Sequence, residues 1–206
     1  MLATKLQPVR TPFLPLAVPE AEITPTHSVR GTLILSSLKT LEERDLFDAY
    51  FQHLAPRSHN EIRALIAGAW YPIDLAIDHY RACEALGVTR AEQLALGKGV
   101  GQKQDRTLFQ SILSLAKQAG ATPWLPLSML GKIQDRVFLG GALAVYKLSP
   151  KDAEIDLHGF SVLQFKYVQN AYCGMFQNTC ESFCRKAYMK VHTFTPAKTT
   201  FSLSWA

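Results

Sequence analysis

Residues 163–188, LQFKYVQNAYCGMFQNTCESFCRKAY, are the most strongly amphipathic part of the chain. Phe165, Val168, Tyr172, Phe176, Phe183 and Ala187 follow one stripe, and the pattern predicts a single long helix over 163–188. Short segments of strand character flank it. Residues 142–148 (ALAVYKL) read as a strand, SPKDA as a turn, and residues 154–158 (EIDLH) as a second strand with Ile155 and Leu157 on one face. Beyond the helix, KVHTF (190–194) and TTFSLSW (199–205) read as two more strands joined by a turn at Thr195–Lys198. In the last of these, Phe201, Leu203 and Trp205 share a face. The C-terminal third is therefore β-β-α-β-β, a helix laid on an antiparallel sheet, and the fold class is α+β.

Upstream, from Gly31 to Leu139, the apolar spacing is helical. Residues 44–54 (RDLFDAYFQHL) place Leu46, Phe47, Tyr50, Phe51 and Leu54 at helical intervals, and Pro56 ends that segment. Ser58 with Glu61 has the spacing of a capping box for HNEIRALIAG, and Thr89 with Glu92 has it for a helix running to about Gly120. Pro72 suits the first turn of a helix over 72–86 that stops before Gly87. Thr122 and Pro123 open another, which ends before Gly140-Gly141. The reading is a helical N-terminal lobe (29–140) packed on a sheet lobe (141–206). Residues 1–28 form a Pro-rich extended arm. Five of the eleven prolines lie within the first 30 residues, and each lacks the N–H that a ladder needs. Phe13, Leu14, Leu16 and Val18 suit the arm to lie on its own domain or on a neighbouring subunit.

The 206 residues are 48% hydrophobic and only 19% charged, against about 25% charged in an ordinary soluble domain. That composition argues against disorder and points to apolar surface that a partner covers or that encloses a ligand. No apolar run of about 18 residues occurs, and prolines break any signal-like stretch near the start, so the expected location is the cytoplasm, with the four cysteines as reduced thiols. The net charge of +5 is uneven. Residues 90–136 hold seven cations against three acids, which accounts for four of the five charges. Lys98, Lys103, Arg106 and Lys117 form the candidate basic patch. A solvated helix face explains it better than nucleic acid does, because no Lys/Arg run or nucleic-acid signature is present.

The candidate chemistries are weak. Gly97-Lys98-Gly99-Val100-Gly101 fails both the Walker and the dinucleotide spacing, and its small residues suit close helix packing. Cys173, Cys180 and Cys184 lie on one helical face, but seven residues span about 10 Å of rise, too far for one zinc at about 2.3 Å from each sulfur. They read as core or pocket lining, and no metal or other cofactor is assigned. His79 and Cys83, four apart, can touch on a helix, yet no orienting group or oxyanion site accompanies them. Asp74, Asp78 and Arg81 read as a surface ion cluster. Asp156 and His158, opposite Ile155 and Leu157, read as a solvated strand face. No catalytic residue is assigned, and the chain is expected not to be an enzyme.

Three features in order carry a family resemblance: Val29-Arg30-Gly31-Thr32 leading into Leu33–Leu41, Ala69-Trp70-Tyr71-Pro72 opening a helix, and a β-β-α-β-β end closing on Phe201-Ser202-Leu203-Ser204-Trp205. Over roughly residues 29–206 the chain resembles an uncharacterised bacterial protein family. The C-terminal half of that family is similar to heme-NO/oxygen-binding and 4-vinyl-reductase-type sensor domains. The resemblance implies a ligand cavity between sheet and helices. Tyr172, Phe176, Cys180 and Trp205 are the expected cavity lining. The heme sensors use a Tyr-x-Ser-x-Arg motif and an axial histidine on a helix. This sequence has no Tyr-x-Ser-x-Arg and no histidine in 163–188, so heme is not expected. The expected function is a non-enzymatic small-molecule-sensing or protein-interaction module that binds a small apolar ligand or a partner protein. The alternative is a structural or oligomerising module, such as a homodimer, whose apolar surface and arm are covered by a second subunit.

Overall fold

The computed structural model describes residues 9–103 in full, the backbone of 104–108, and residues 121–206. The strands run in the order β1-β5-β6-β8-β7 in one antiparallel sheet. They are β1 (Thr11–Leu14), β5 (Ala142–Ser149), β6 (Asp152–His158), β7 (Ala187–Phe194) and β8 (Lys198–Trp205). The fold is mixed α+β, and β5-β6, helix α8 (Lys166–Cys180) and β7-β8 give the expected β-β-α-β-β order. A second sheet, β3-β2-β4, joins β2 (Ser28–Arg30), β3 (Trp70–Pro72) and β4 (Phe138–Leu139). The sequence pattern did not reveal it, because two- and three-residue strands carry no readable alternation. β2 also spans the boundary drawn between arm and domain at residue 28.

Helix α8 is shorter than the stripe suggests. A 3-10 turn over Ser161–Gln164 precedes it, and it ends at Cys180 rather than continuing to 188. Residues beyond 180 leave the helix because the chain terminus holds them: Arg185 and Lys186 donate backbone hydrogen bonds to the Ala206 carbonyl, and Ala206 donates back to Lys186. The chain then enters β7 at Ala187, paired with Trp205. Phe165, Val168, Tyr172 and Phe176 keep the stripe, and Tyr172 stacks on Phe201 of β8 with ring centroids 6.4 Å apart.

The upstream helices are α1 (Gly31–Glu42), α2 (Phe47–His53), α3 (His59–Arg63), α4 (Ile73–Ala85), α5 (Arg90–Leu108), α6 (Trp124–Ser128) and α7 (Leu130–Val137). The Thr89–Glu92 capping box forms: Glu92 Oε2 accepts from the Thr89 N–H at 2.7 Å, and the Glu92 N–H donates to Thr89 Oγ1 at 3.3 Å. The Ser58–Glu61 box does not form. Ser58 Oγ instead donates to Asp78 Oδ2 at 2.8 Å, a charge-assisted bond that outcompetes a cap. Gly140 and Gly141, both at positive φ, turn the chain from β4 into β5 hard against Pro25 and Thr26.

The arm lies on its own domain. Thr11, Pro12 and Leu14 pair with Lys147, Tyr146 and Val145 as the edge strand of the five-stranded sheet. The guanidinium of Arg10 sits 3.9 Å over the Tyr146 ring and bonds Glu154 and Asp156, each at 2.8 Å. Asp156 and His158 are consequently not solvated, as their strand face suggested. Asp156 is 2% exposed, and Arg10, Thr200 and Lys198 surround its carboxylate. His158 lies beneath the arm with Nδ1 3.3 Å from Glu20.

Helices α5 and α8 pack closely through glycine. A Cβ at Gly97 would lie 1.9 Å from the Ala171 carbonyl oxygen, and one at Gly174 would lie 2.0 Å from that of Leu94. The two helices thus approach backbone to backbone through reciprocal glycines, which is the packing role expected of the Gly97–Gly101 run. Replacing either glycine with alanine raises intrinsic helix propensity by about 1 kcal/mol, yet it forces the helices apart. We expect Gly97→Ala and Gly174→Ala each to lower stability by about 1–3 kcal/mol in urea denaturation. A variant as stable as the parent would contradict the close approach.

Candidate functional site

The residues of interest meet where α1, α4, α5 and α8 converge. Their apolar faces leave a cavity of about 30 Å³, lined by Leu33, Ser37, Tyr80, Gly97, Val100, Tyr167, Val168, Ala171, Tyr172 and Met175. A void of this size takes one water, which needs about 10–15 Å³ by the same measure. Polar groups border it. His79 Nδ1 is hydrogen-bonded to Tyr50 Oη at 2.8 Å, and His79 Nε2 to Ser37 Oγ at 3.0 Å. Cys83 Sγ lies 3.7 Å from the same Nε2, so the spacing that allowed a Cys–His contact produces one. Tyr167, from α8, lines the same cavity as Ser37.

Burial sets the protonation of this group. Removal from water holds the His79 imidazole neutral, its pKa lowered to about 3, and pushes the Cys83 thiol and the Tyr167 phenol upward. A neutral histidine beside a protonated thiol does not make the thiolate that a cysteine nucleophile needs. Cys173 is pushed up to about 11 and Cys180 to about 12, also by burial, and the half-buried Cys184 shifts in the same direction.

Of the expected lining, Tyr172 borders the cavity. Phe176 and Cys180 are buried on the same helix but do not line it, and Trp205 packs edge-on against Trp124 at 5.0 Å. In the basic patch, Lys98 pairs with Glu181 at 3.6 Å, and Lys103 pairs with Glu43. The Arg106 side chain and Lys117 lie outside the described residues. Asp78 is a further surprise. Rather than sharing a surface cluster with Asp74, it is 2% exposed, while Asp74 is exposed. Hydrogen bonding from Arg57 outweighs burial and holds its carboxyl below the usual range, with Ser58 and Arg81 adding to the effect. Arg57 comes from a turn 21 residues away, a pairing that local sequence spacing does not signal.

No protein-family model matches the chain, and no curated protein matches it in sequence, so the expected uncharacterised family gains no support. Solved structures do match. The ferrous, unliganded H-NOX (heme-NO/oxygen binding) protein of K. algicida superposes with a TM-score of 0.63 at 12% identity, over 86% of this chain and 96% of that one. The chain has an H-NOX-like fold. A second neighbour is an oxygen-binding H-NOX domain related to soluble guanylate cyclases, solved as its oxygen complex. It matches with a TM-score of 0.58 at 13% identity, over 85% of this chain and 94% of that one. At such identity the likeness is one of fold.

The H-NOX-like fold implies heme, and the described residues do not fit it. The cavity beside α8 is at least tenfold smaller than the roughly 300–1,000 Å³ of ordinary cofactor sites. The histidine next to it, His79, has both ring nitrogens engaged within the protein. His158 has a buried Nε2 without a partner among the described residues, but it lies under the arm, on the sheet face opposite α8. Among the described residues no group of three or more His, Cys, Asp or Glu side chains is placed to hold a metal ion.

Two outcomes follow from this geometry. The folded chain keeps His79 neutral down to about pH 3, whereas an unfolded chain protonates it near 6.5. Acidification through 6.5 therefore favours unfolding, and well above 6.5 the ring has no effect. Between pH 7 and pH 5 we expect this ring to remove about 2 kcal/mol of stability, measured by urea titration. His79→Gln should flatten that slope. A slope unchanged in the variant would place the effect elsewhere. In thiol labelling at neutral pH, Cys184 should react first, while Cys83, Cys173 and Cys180 react only on unfolding. A fast-reacting Cys83 would revive a nucleophilic role.

Proposed function

We propose that this chain is a non-enzymatic, cytoplasmic regulatory domain, a sensor or adaptor that uses an H-NOX-like fold without heme. One observation carries the reading: the meeting point of α5 and α8 is filled by the protein's own backbone and tyrosines. Gly97 and Gly174 close it, and Tyr80, Tyr167 and Tyr172 surround what is left. In this reading the helical residues 29–140 form one lobe, the sheet residues 141–206 the other, and a ligand or partner acts on the outside of their junction. Where the described arm lies supports a self-contained domain over an arm shared with a second subunit, because Arg10 and β1 are committed to the chain's own sheet.

Hemin titration of the purified apo-protein, followed by visible absorbance, tests the proposal. The expected result is only a weak, non-saturating band that His79→Ala leaves unchanged. A sharp band saturating at one heme per chain would overturn it. Native mass spectrometry of the same preparation should show the chain without a heme adduct.

A further inference from the structure

A wide groove of about 640 Å³ lies at the β7 end of the five-stranded sheet, within the roughly 300–1,000 Å³ typical of small-molecule sites. Strand register builds one side of it. Tyr188 pairs with Ser204, Ser204 with Asp152, and Lys190 with Ser202, so these side chains share the sheet face opposite the buried Phe201, Leu203 and Trp205. Tyr188 is 58% exposed, a large ring left in solvent. Leu94 and Leu148 add apolar surface at the groove walls, and Met189 and Leu203, both buried, also border it.

The charges give the groove a sign. Arg90, at the start of α5, and Lys190 both line it, and neither has an ion-pair partner among the described residues. Several other cations are paired: Lys98 and Lys186 with Glu181, Lys103 with Glu43, Arg57 and Arg81 with Asp78. The groove holds one carboxylate, Asp152, which accepts a hydrogen bond from Ser149. Two unpaired cations against one engaged carboxylate leave it net positive. The hydroxyls of Ser202 and Ser204 add donors between the apolar walls.

We propose that this groove binds a small anionic amphiphile, with its carboxylate or phosphate held between Arg90 and Lys190 and its apolar body against Tyr188, Leu94 and Leu148. The inference rests on the reading of the chain as a regulatory domain and names the ligand class it responds to. It places the ligand outside the cavity under α8, where sequence reasoning expected it.

The test uses the full chain with 8-anilinonaphthalene-1-sulfonate as a fluorescent anionic probe. The expected result is saturable one-to-one binding that decanoate and decyl phosphate displace and decyltrimethylammonium does not. Arg90→Gln/Lys190→Gln should weaken the probe about five- to tenfold while leaving far-UV circular dichroism unchanged. Amide shifts on titration should concentrate at 188–190 and 202–204. Equal affinity in the double variant, equal displacement by the cationic competitor, or shifts centred elsewhere would overturn the site. The hemin titration reports on the regulatory reading independently, so either idea can fail without the other.

Discussion

The close approach of α5 and α8 is the constraint on which the rest depends. Two helices separated by ordinary side chains sit about 8–10 Å apart, and the space between them can open into a pocket. Here Gly97 meets the Ala171 carbonyl, and Gly174 meets that of Leu94. That contact fixes α8 against both the helices and the sheet. It presses Tyr167 and Tyr172 into the space a ligand would use, and it draws Ser37, Tyr50, His79 and Cys83 into one dehydrated network. The same burial that keeps His79 neutral keeps the thiol protonated, so one packing decision sets both the size of the cavity and its chemistry.

Much of the sheet and its helix was legible in the sequence, because both have strong periods: two along β5, β6 and β8, and about 3.6 along Phe165, Val168, Tyr172 and Phe176. The glycine run was legible by elimination, since it failed every phosphate-binding pattern. What escaped was non-local. β2, β3 and β4 are too short to show a period, and their partners lie far apart in the chain. Asp156 and His158 alternate as a solvent face should, and only the returning arm turns that face into an interior. Ser58 has a capping partner three residues on but finds a stronger one, the Asp78 carboxylate, on a neighbouring helix. In each case a long-range partner overrode a correct local preference.

The likeness to H-NOX structures sharpens this point. Fold similarity over 85–86% of the chain coexists with 12–13% identity, so very different sequences can share a backbone topology. The expected lining residues separate accordingly. Tyr172 reaches the remaining cavity, whereas Phe176, Cys180 and Trp205 complete a solid core around it. A wider concavity lies at the open end of the sheet, lined by hydroxyls, a tyrosine and two cations.

The arm's edge strand also has a consequence for synthesis. Thr11 pairs with Lys147, and His158 lies under residues near Glu20, so β1, once it has left the ribosome, waits for roughly 130 further residues. At about 5–20 residues per second that is roughly 7–26 s. For that interval Phe13, Leu14 and Val18 have no sheet to join. The five prolines among residues 8–25 withhold five backbone N–H donors, so while it waits the segment offers another nascent chain only an interrupted edge for pairing.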